Sequence, residues 1–365
     1  MKLTVFGLTI SSSWGNGHAT LWRGLVRALA RRGHRVTFFE RDVPYYAGTR
    51  DLSEIPNGRL VLYSDWDEVR AQAERELADA DVGMVTSYCP DGVAAADLVL
   101  GSRVAARVFY DLDTPVTLAK LGRGEPVGYI GPRGLGDFDL VLSYTGGAAL
   151  AELRSRLGAR RTATLYGHVD PEIHRPAAPQ DHYRADLSYI GTYAEDRQRA
   201  LEALLVEPAR RMPERRFVIA GAQYPQDFPW TPNIHFVRHL GPDEHPAFYS
   251  SSRLTLNVTR AAMAAMGWCP SGRLFEATAC GTPVLSDAWD GLDAFFEPGR
   301  EVLVARDTAE AEAALGLSDA ELGRIAAAAR ERTLAEHTAD RRVGDLFAAL
   351  DGCFTPTADI QPLGA

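Results

Sequence analysis

Ser271, Gly272, Arg273 and Glu276 stand together in one turn and the helix it opens. Pro270, Ser271 and Gly272 suit a turn, and Arg273 to Cys280 holds good helix formers. Gly281 falls where a left-handed residue closes a helix, with Pro283 soon after and Val284-Leu285 as a buried strand. Arg273 lies in the first helical turn, where the positive end of the macrodipole disfavours a cation, so its place makes sense beside an anion. Backbone N–H groups of residues 271–273 together with a guanidinium form a phosphate site, and glycine at 272 lets the ligand come close. Glu276, three residues on and on the same face, can accept two hydrogen bonds from a ribose diol. The same spacing also suits a solvated Arg–Glu pair.

Other stretches carry chemistry of the same kind. Asp111 and Asp113, in Tyr110-Asp111-Leu112-Asp113-Thr114-Pro115, follow a predicted strand. Ligands bind at that carboxyl edge in parallel sheets, and either carboxylate can orient or deprotonate a hydroxyl, or simply cap a turn. Gly15, Asn16, Gly17 and His18 join the first strand to the first helix, where glycines admit a ligand and the helix start offers N–H groups. They do not complete Gly-x-Gly-x-x-Gly, because Thr20 holds the third position. Arg260 follows the predicted strand near Leu254–Val258 and should face the same cleft as Arg273, as a further phosphate or sugar contact.

The run Arg-Leu-Phe-Glu-Ala-Thr-Ala-Cys-Gly-Thr-Pro-Val-Leu-Ser-Asp, residues 273–287, resembles the donor-nucleotide segment of GT-B glycosyltransferases of the family-4 type, and most closely the CgeB-like branch named for a spore maturation protein. Segments 12–46 and 108–118 share the likeness. It implies a soluble enzyme that moves a sugar from a nucleotide-sugar donor to an acceptor hydroxyl, with retention through phosphate-assisted attack. No metal and no cofactor besides the donor substrate, UDP-, dTDP- or GDP-linked, would be needed. Arg197, after Ile190-Gly191-Thr192-Tyr193, stands where the family has a phosphate-binding Lys. With Arg273 it would grip the diphosphate from two sides, with Tyr193 beside it, stabilising the leaving nucleoside diphosphate. The stretch Val237–Gly241 would hold the base. Two departures are plain. Trp268 replaces the first of the family's two Glu, the one expected at the donor sugar, and the family's His near residue 110 is missing. They motivate a rival, a sugar-nucleotide-binding or coat-associated protein without turnover; an epimerase of the same fold is another. Asp-x-Asp also suits the metal site of the other glycosyltransferase fold, which a two-Rossmann chain contradicts.

Positioning such groups needs α/β architecture. Short apolar runs at Leu3–Leu8, Val36–Phe39, Val82–Val85, Val108–Tyr110, Leu140–Leu142 and Thr162–Leu165 alternate with helical stretches, and the rhythm restarts at Leu187–Ile190. The expectation is two doubly wound, Rossmann-like parallel-sheet domains facing across a cleft: residues 1–170 on the acceptor side, a linker at 171–185, and 186–335 on the nucleotide-sugar side. By the resemblance, a helix at 336–353 crosses back to the first domain; a loose tail at 354–365 follows. The 365 residues suit two cores. A net charge of −9 argues against a nucleic-acid or anionic-membrane partner. Only Lys2 and Lys120 are lysines, so a lone Arg says little. Cys89, Cys269, Cys280 and Cys353 lack metal-ligand spacing. With no cleavage signature and no run long enough to span a bilayer, the expected setting is the cytoplasm.

Overall fold

In the computed structural model, which describes residues 1–15 and 17–354, two all-parallel sheets stand one after the other in the chain. The first contains β1 (Lys2–Gly7), β2 (Arg35–Arg41), β3 (Arg59–Tyr63), β4 (Val82–Thr86), β5 (Ala106–Asp111), β6 (Leu140–Ser143) and β7 (Thr162–Thr164), in the order β3-β2-β1-β4-β5-β6-β7. The second contains β8 (Leu187–Ile190), β9 (Phe217–Gly221), β10 (Ile234–Arg238), β11 (Thr255–Asn257), β12 (Val284–Asp287) and β13 (Leu303–Ala305), in the order β10-β9-β8-β11-β12-β13. Each order reverses direction beside its first strand, which opens a crevice at the carboxyl ends. This is the GT-B architecture of two Rossmann-like domains.

Burial on both faces explains the strand sequences. Val5 points into one apolar cluster with Trp22, Leu25 and Leu29 of helix His18–Arg31, while Phe6 points into another with Phe39, Val85 and Phe109. Such strands read as unbroken apolar runs. The second sheet repeats this, with Phe275 and Phe296 on one side and Leu205 and Phe217 on the other.

Strand β3 escaped the sequence reading because it is an edge strand: Arg59 and Leu62 are exposed, so the apolar run is broken. Helix Thr114–Gly122 was hidden by Pro115, which a first helical turn tolerates since its N–H would be unpaired anyway. The helical stretch 195–211 is interrupted by a π-helical turn, Glu202–Val206, just before Pro208. Proline there lacks an N–H and crowds the preceding turn, and the wider turn accommodates it.

The chain passes between the domains twice at one place. Val169 N–H donates to the His337 carbonyl at 2.9 Å, and Ala339 N–H to the Val169 carbonyl at 2.8 Å. Helix Ala339–Phe354 then packs on helix His18–Arg31, and Ala339, Val343, Leu346 and Leu350 complete the core of the first sheet. Among the described residues no helix is long and apolar enough to cross a membrane.

Candidate active site

The carboxyl ends of both sheets enclose a cavity of about 620 Å³ lined from both domains. Several contacts close its rim. Gln223 Nε2 donates to Tyr45 Oη at 2.8 Å, the rings of Trp14 and His239 lie 4.4 Å apart, and Tyr144 Oη donates to the Pro270 carbonyl at 2.7 Å.

On the second domain's wall, helix Gly272–Ala279 starts as the sequence suggested. Ser271 is its N-cap and accepts the Arg273 N–H at 3.4 Å, so that amide is already engaged; Gly281, at φ 79°, closes the helix. Arg273 turns back to Asn257 Oδ1 at 2.9 Å and lies over the Tyr189 ring at 5.3 Å. Arg197 reaches the same tyrosine from the other side, donating from Nη1 to Tyr189 Oη and to the Thr192 carbonyl, both at 3.3 Å. Its Nε is buried without a partner among the described residues. Burial opposes ionisation of the Tyr189 phenol, yet the flanking Arg197 and Arg273 charges bring it below its ordinary range. That sign reports surplus positive charge at the wall. Arg260 also lines the cavity but is paired with Asp196 at 3.0 Å; its loop is held by Asp287, which accepts Thr259 N–H and Oγ1–H at 3.0 Å each. Tyr193 packs on Tyr224 at 5.7 Å and is not among the lining residues.

Glu276 parts from Arg273 and faces His245, 3.7 Å away, with Tyr249 Oη donating to Oε2 at 3.4 Å. Burial would raise its pKa, but the adjacent His245, His174 and Arg273 bring it to about 2, so the group is a carboxylate.

The first domain supplies the opposite wall. Gly15, Gly17 and His18 line it; Gly15 has φ 67° and approaches Tyr45 closely enough that a Cβ would fall 2.8 Å from its hydroxyl. Asn16 lies outside the described residues. His18 Nε2 is 2.8 Å from Asp113 Oδ2, both largely shielded, and its Nδ1 is buried without a partner among the described residues. Asp111, in contrast, is fully buried beneath the wall. It accepts Asp113 N–H at 3.0 Å and Thr117 Oγ1–H at 3.2 Å, while burial lifts its pKa to about 7. Its place is under Asp113 rather than beside a ligand.

Glu40, unremarked in the sequence, organises this wall. Fully buried at the end of β2, it accepts from Thr9 Oγ1, Ile10 N, Ser11 N and Ser11 Oγ at 2.6–3.0 Å. A carboxylate satisfied four times over fixes the loop that leads to Gly15 and His18. An acidic residue ending an apolar strand was the available signal.

Trp268 is an interdomain residue. At φ 50° it lies between Gly147 of the first domain and Gly291 of the second, where added Cβ atoms would stand 2.6 and 2.5 Å from its ring. Gly146 N–H donates to its carbonyl at 3.0 Å, and Thr145 Oγ1–H to Cys269 Sγ at 3.1 Å.

Cationic groups on one wall and an imidazole–carboxylate pair on the other suit a phosphorylated ligand meeting a hydroxyl. Comparisons with known proteins bear on the fold. Residues 197–348 match the family described as glycosyl transferase-like. No curated protein matches the chain. Among solved structures it is similar to sucrose-phosphate synthase from Thermosynechococcus elongatus (16% identity, 96% of this chain and 99% of that one, TM-score 0.71). It is also similar to Anabaena HepE in complex with UDP and glucose (14% identity, 96% and 100%, TM-score 0.70). A third is an alpha-glucosyltransferase in complex with UDP and a 13-mer DNA (12% identity, 96% and 99%, TM-score 0.67). At these identities the likeness concerns the fold, which is GT-B throughout.

Proposed function

We propose that this chain, a GT-B glycosyltransferase by its fold and by the family of its second domain, transfers a hexose from a uridine-diphosphate sugar to an acceptor hydroxyl. One observation carries the reading: the Arg197–Tyr189–Arg273 cluster faces the same cavity as the His18–Asp113 pair, from the opposite domain. In this reading the two guanidinium groups and the Ser271–Gly272 turn hold the diphosphate and stabilise the charge that develops as it leaves. Glu276 accepts the ribose hydroxyls, and backbone groups near His239 and Leu240 meet the base. Arg260, Gly15 and Gly17 border the sugar. The kinship with CgeB-like proteins rests on residues 12–46, 108–118 and 268–287, and the expected setting is the cytoplasm.

Retention, implied by the sequence resemblance, needs no protein base because the leaving phosphate takes the acceptor proton. His18 favours a second reading. An imidazole oriented by Asp113 at the cleft can take that proton itself, which suits attack from the face opposite the leaving group, and therefore inversion. The anomeric configuration of the first product, read by proton NMR before mutarotation, decides between them.

The function is tested by incubating purified protein with UDP-, dTDP- and GDP-sugars, with and without a panel of sugar and polyol acceptors. The expected outcome is a raised melting temperature with UDP-sugars and acceptor-dependent release of UDP. Tight binding without hydrolysis or transfer would leave a sugar-nucleotide-binding protein instead; conversion of the donor with no acceptor present would mean an epimerase.

A further inference from the structure

His174, His245 and Glu276 bring one ligand atom each to within 4.8 Å of one another. They come from three separate places: the interdomain passage after β7, the helix His245–Ser250, and the helix Gly272–Ala279. His174 is almost wholly buried, whereas His245 and Glu276 line the cavity. The contacts are long for hydrogen bonds. His174 Nε2 lies 3.5 Å from His245 Nδ1, and His245 Nδ1 lies 3.7 Å from Glu276 Oε2. Both come near the roughly 3.3–3.6 Å edge of a tetrahedron whose metal–ligand bonds are about 2.0–2.2 Å long.

The facing nitrogens are difficult to satisfy by hydrogen bonding alone. His245 Nδ1 faces two groups at once: as an N–H donated to Glu276 it gives His174 Nε2 no lone pair to donate to, and as a lone pair accepting from His174 it is set against a carboxylate. A cation that accepts both imidazole lone pairs and the ionised Glu276 resolves that shortage. Two imidazoles and one carboxylate favour a borderline divalent ion of the zinc class over magnesium or calcium, which prefer oxygen ligands. The fourth position would open toward the cavity, because two of the three ligands line it.

We propose that His174, His245 and Glu276 form a reversible site for a zinc-class divalent cation, and that the ion and the donor nucleotide compete for Glu276. The competition rests on the ribose role given to Glu276 above; the cation site does not. Its consequence is a transferase whose donor side is closed by free zinc.

The test is a calorimetric titration of zinc chloride into the full chain without nucleotide. One saturable equivalent is expected. It should weaken by about tenfold or more in His245→Asn and in His174→Gln, as loss of a ligand requires, and stay unchanged in His235→Ala, which removes an exposed imidazole elsewhere. Circular dichroism and melting temperature establish that the variants are folded, and His245, the less buried of the two histidines, serves if His174→Gln is not. No saturable binding, or equal binding in the folded variants, would overturn the site. UDP is then titrated with and without zinc at about ten times its dissociation constant. Apparent affinity should fall about tenfold further in the wild type than in His245→Asn, a comparison between the two proteins in which zinc chelation by UDP cancels. Zinc bound at the site with UDP affinity unchanged would overturn the competition. UDP that never binds would instead count against the proposed function, with the zinc titration still standing.

Discussion

The Trp268 indole occupies the space that a side chain at Gly147 would need: a Cβ there would stand 2.6 Å from Trp268 Cδ1. A residue of the donor-side domain is thus seated on a turn of the acceptor-side domain, and the turn's glycine, at φ 56°, is required by both shape and space. Gly147→Ala is expected to destabilise the chain by about 1–3 kcal/mol and to loosen the domain contact. Urea denaturation measures this; an unchanged midpoint would show that the contact does not hold the domains together.

Glu276→Ala is expected to weaken UDP binding by about 1–3 kcal/mol, the size of lost hydrogen bonds to a charged group. The variant keeps Arg273 and Arg197, so residual binding should come from the diphosphate. Calorimetry with UDP measures it, and unchanged affinity in a folded variant would remove Glu276 from the ribose.

In the inverting reading, His18→Ala should lower kcat by about 10²–10⁴-fold, the usual contribution of a positioned base, with UDP affinity intact. Asp113→Asn, which leaves the imidazole in place but without its carboxylate, should cost less and shift the pH–rate profile. Retained turnover in His18→Ala would return the acceptor proton to the leaving phosphate.

Arg273→Ala should cut turnover more than it weakens binding, because charge on the diphosphate grows as the sugar departs. Arg273→Lys should not restore it, since the guanidinium both stacks on Tyr189 and donates to Asn257. Full rescue by lysine would mean that only net charge matters there.

Stability should fall on acidification below about pH 6.5. Burial holds His168 and His174 at about 4 and His337 at about 3, with the Arg342 charge adding to the effect on His168 and His337, against an ordinary 6.5. Their neutral forms support the fold fully above 6.5, and that support is lost as pH falls toward the folded values. Each contributes a slope of about 1.4 kcal/mol per pH unit. Asp111 acts in the opposite sense. Its pKa, raised from 3.8 to about 7, favours the fold most below 3.8 and loses that effect as pH rises through 7. Three imidazoles against one carboxyl leave a net slope of about 2.7 kcal/mol per unit between pH 4.5 and 6.5. Urea midpoints across that range measure it; His337→Gln should roughly halve the slope, and an already flat wild-type profile would contradict the assignment.

Much of this architecture was legible because both sheets are parallel and covered, which writes their strands as apolar runs such as Leu187–Ile190 and Phe217–Ile219. The helix at 272–279 was readable from the turn at Pro270, Ser271 and Gly272 and from its closing Gly281, since those are local features. What escaped depends on the third dimension. The pairing of His18 with Asp113 joins two strand ends distant in sequence, as does the seat of Trp268 on Gly147. Nothing local distinguishes Asp111, buried beneath the wall, from Asp113 on its surface, because the pattern Asp-x-Asp is the same for both roles.

The return of helix Ala339–Phe354 to the first domain also bears on the order in which the protein comes into being. Val343, Leu346 and Leu350 belong to the same apolar cluster as Leu3, Val5 and Trp22, yet they are synthesised after the whole second domain. During translation the first sheet must therefore wait with one apolar side incompletely covered, while the second domain can assemble its core at once. Domains are usually finished in the order in which they emerge. Here the earlier one is sealed last, so the nascent chain's exposed surface lies on the acceptor-side domain.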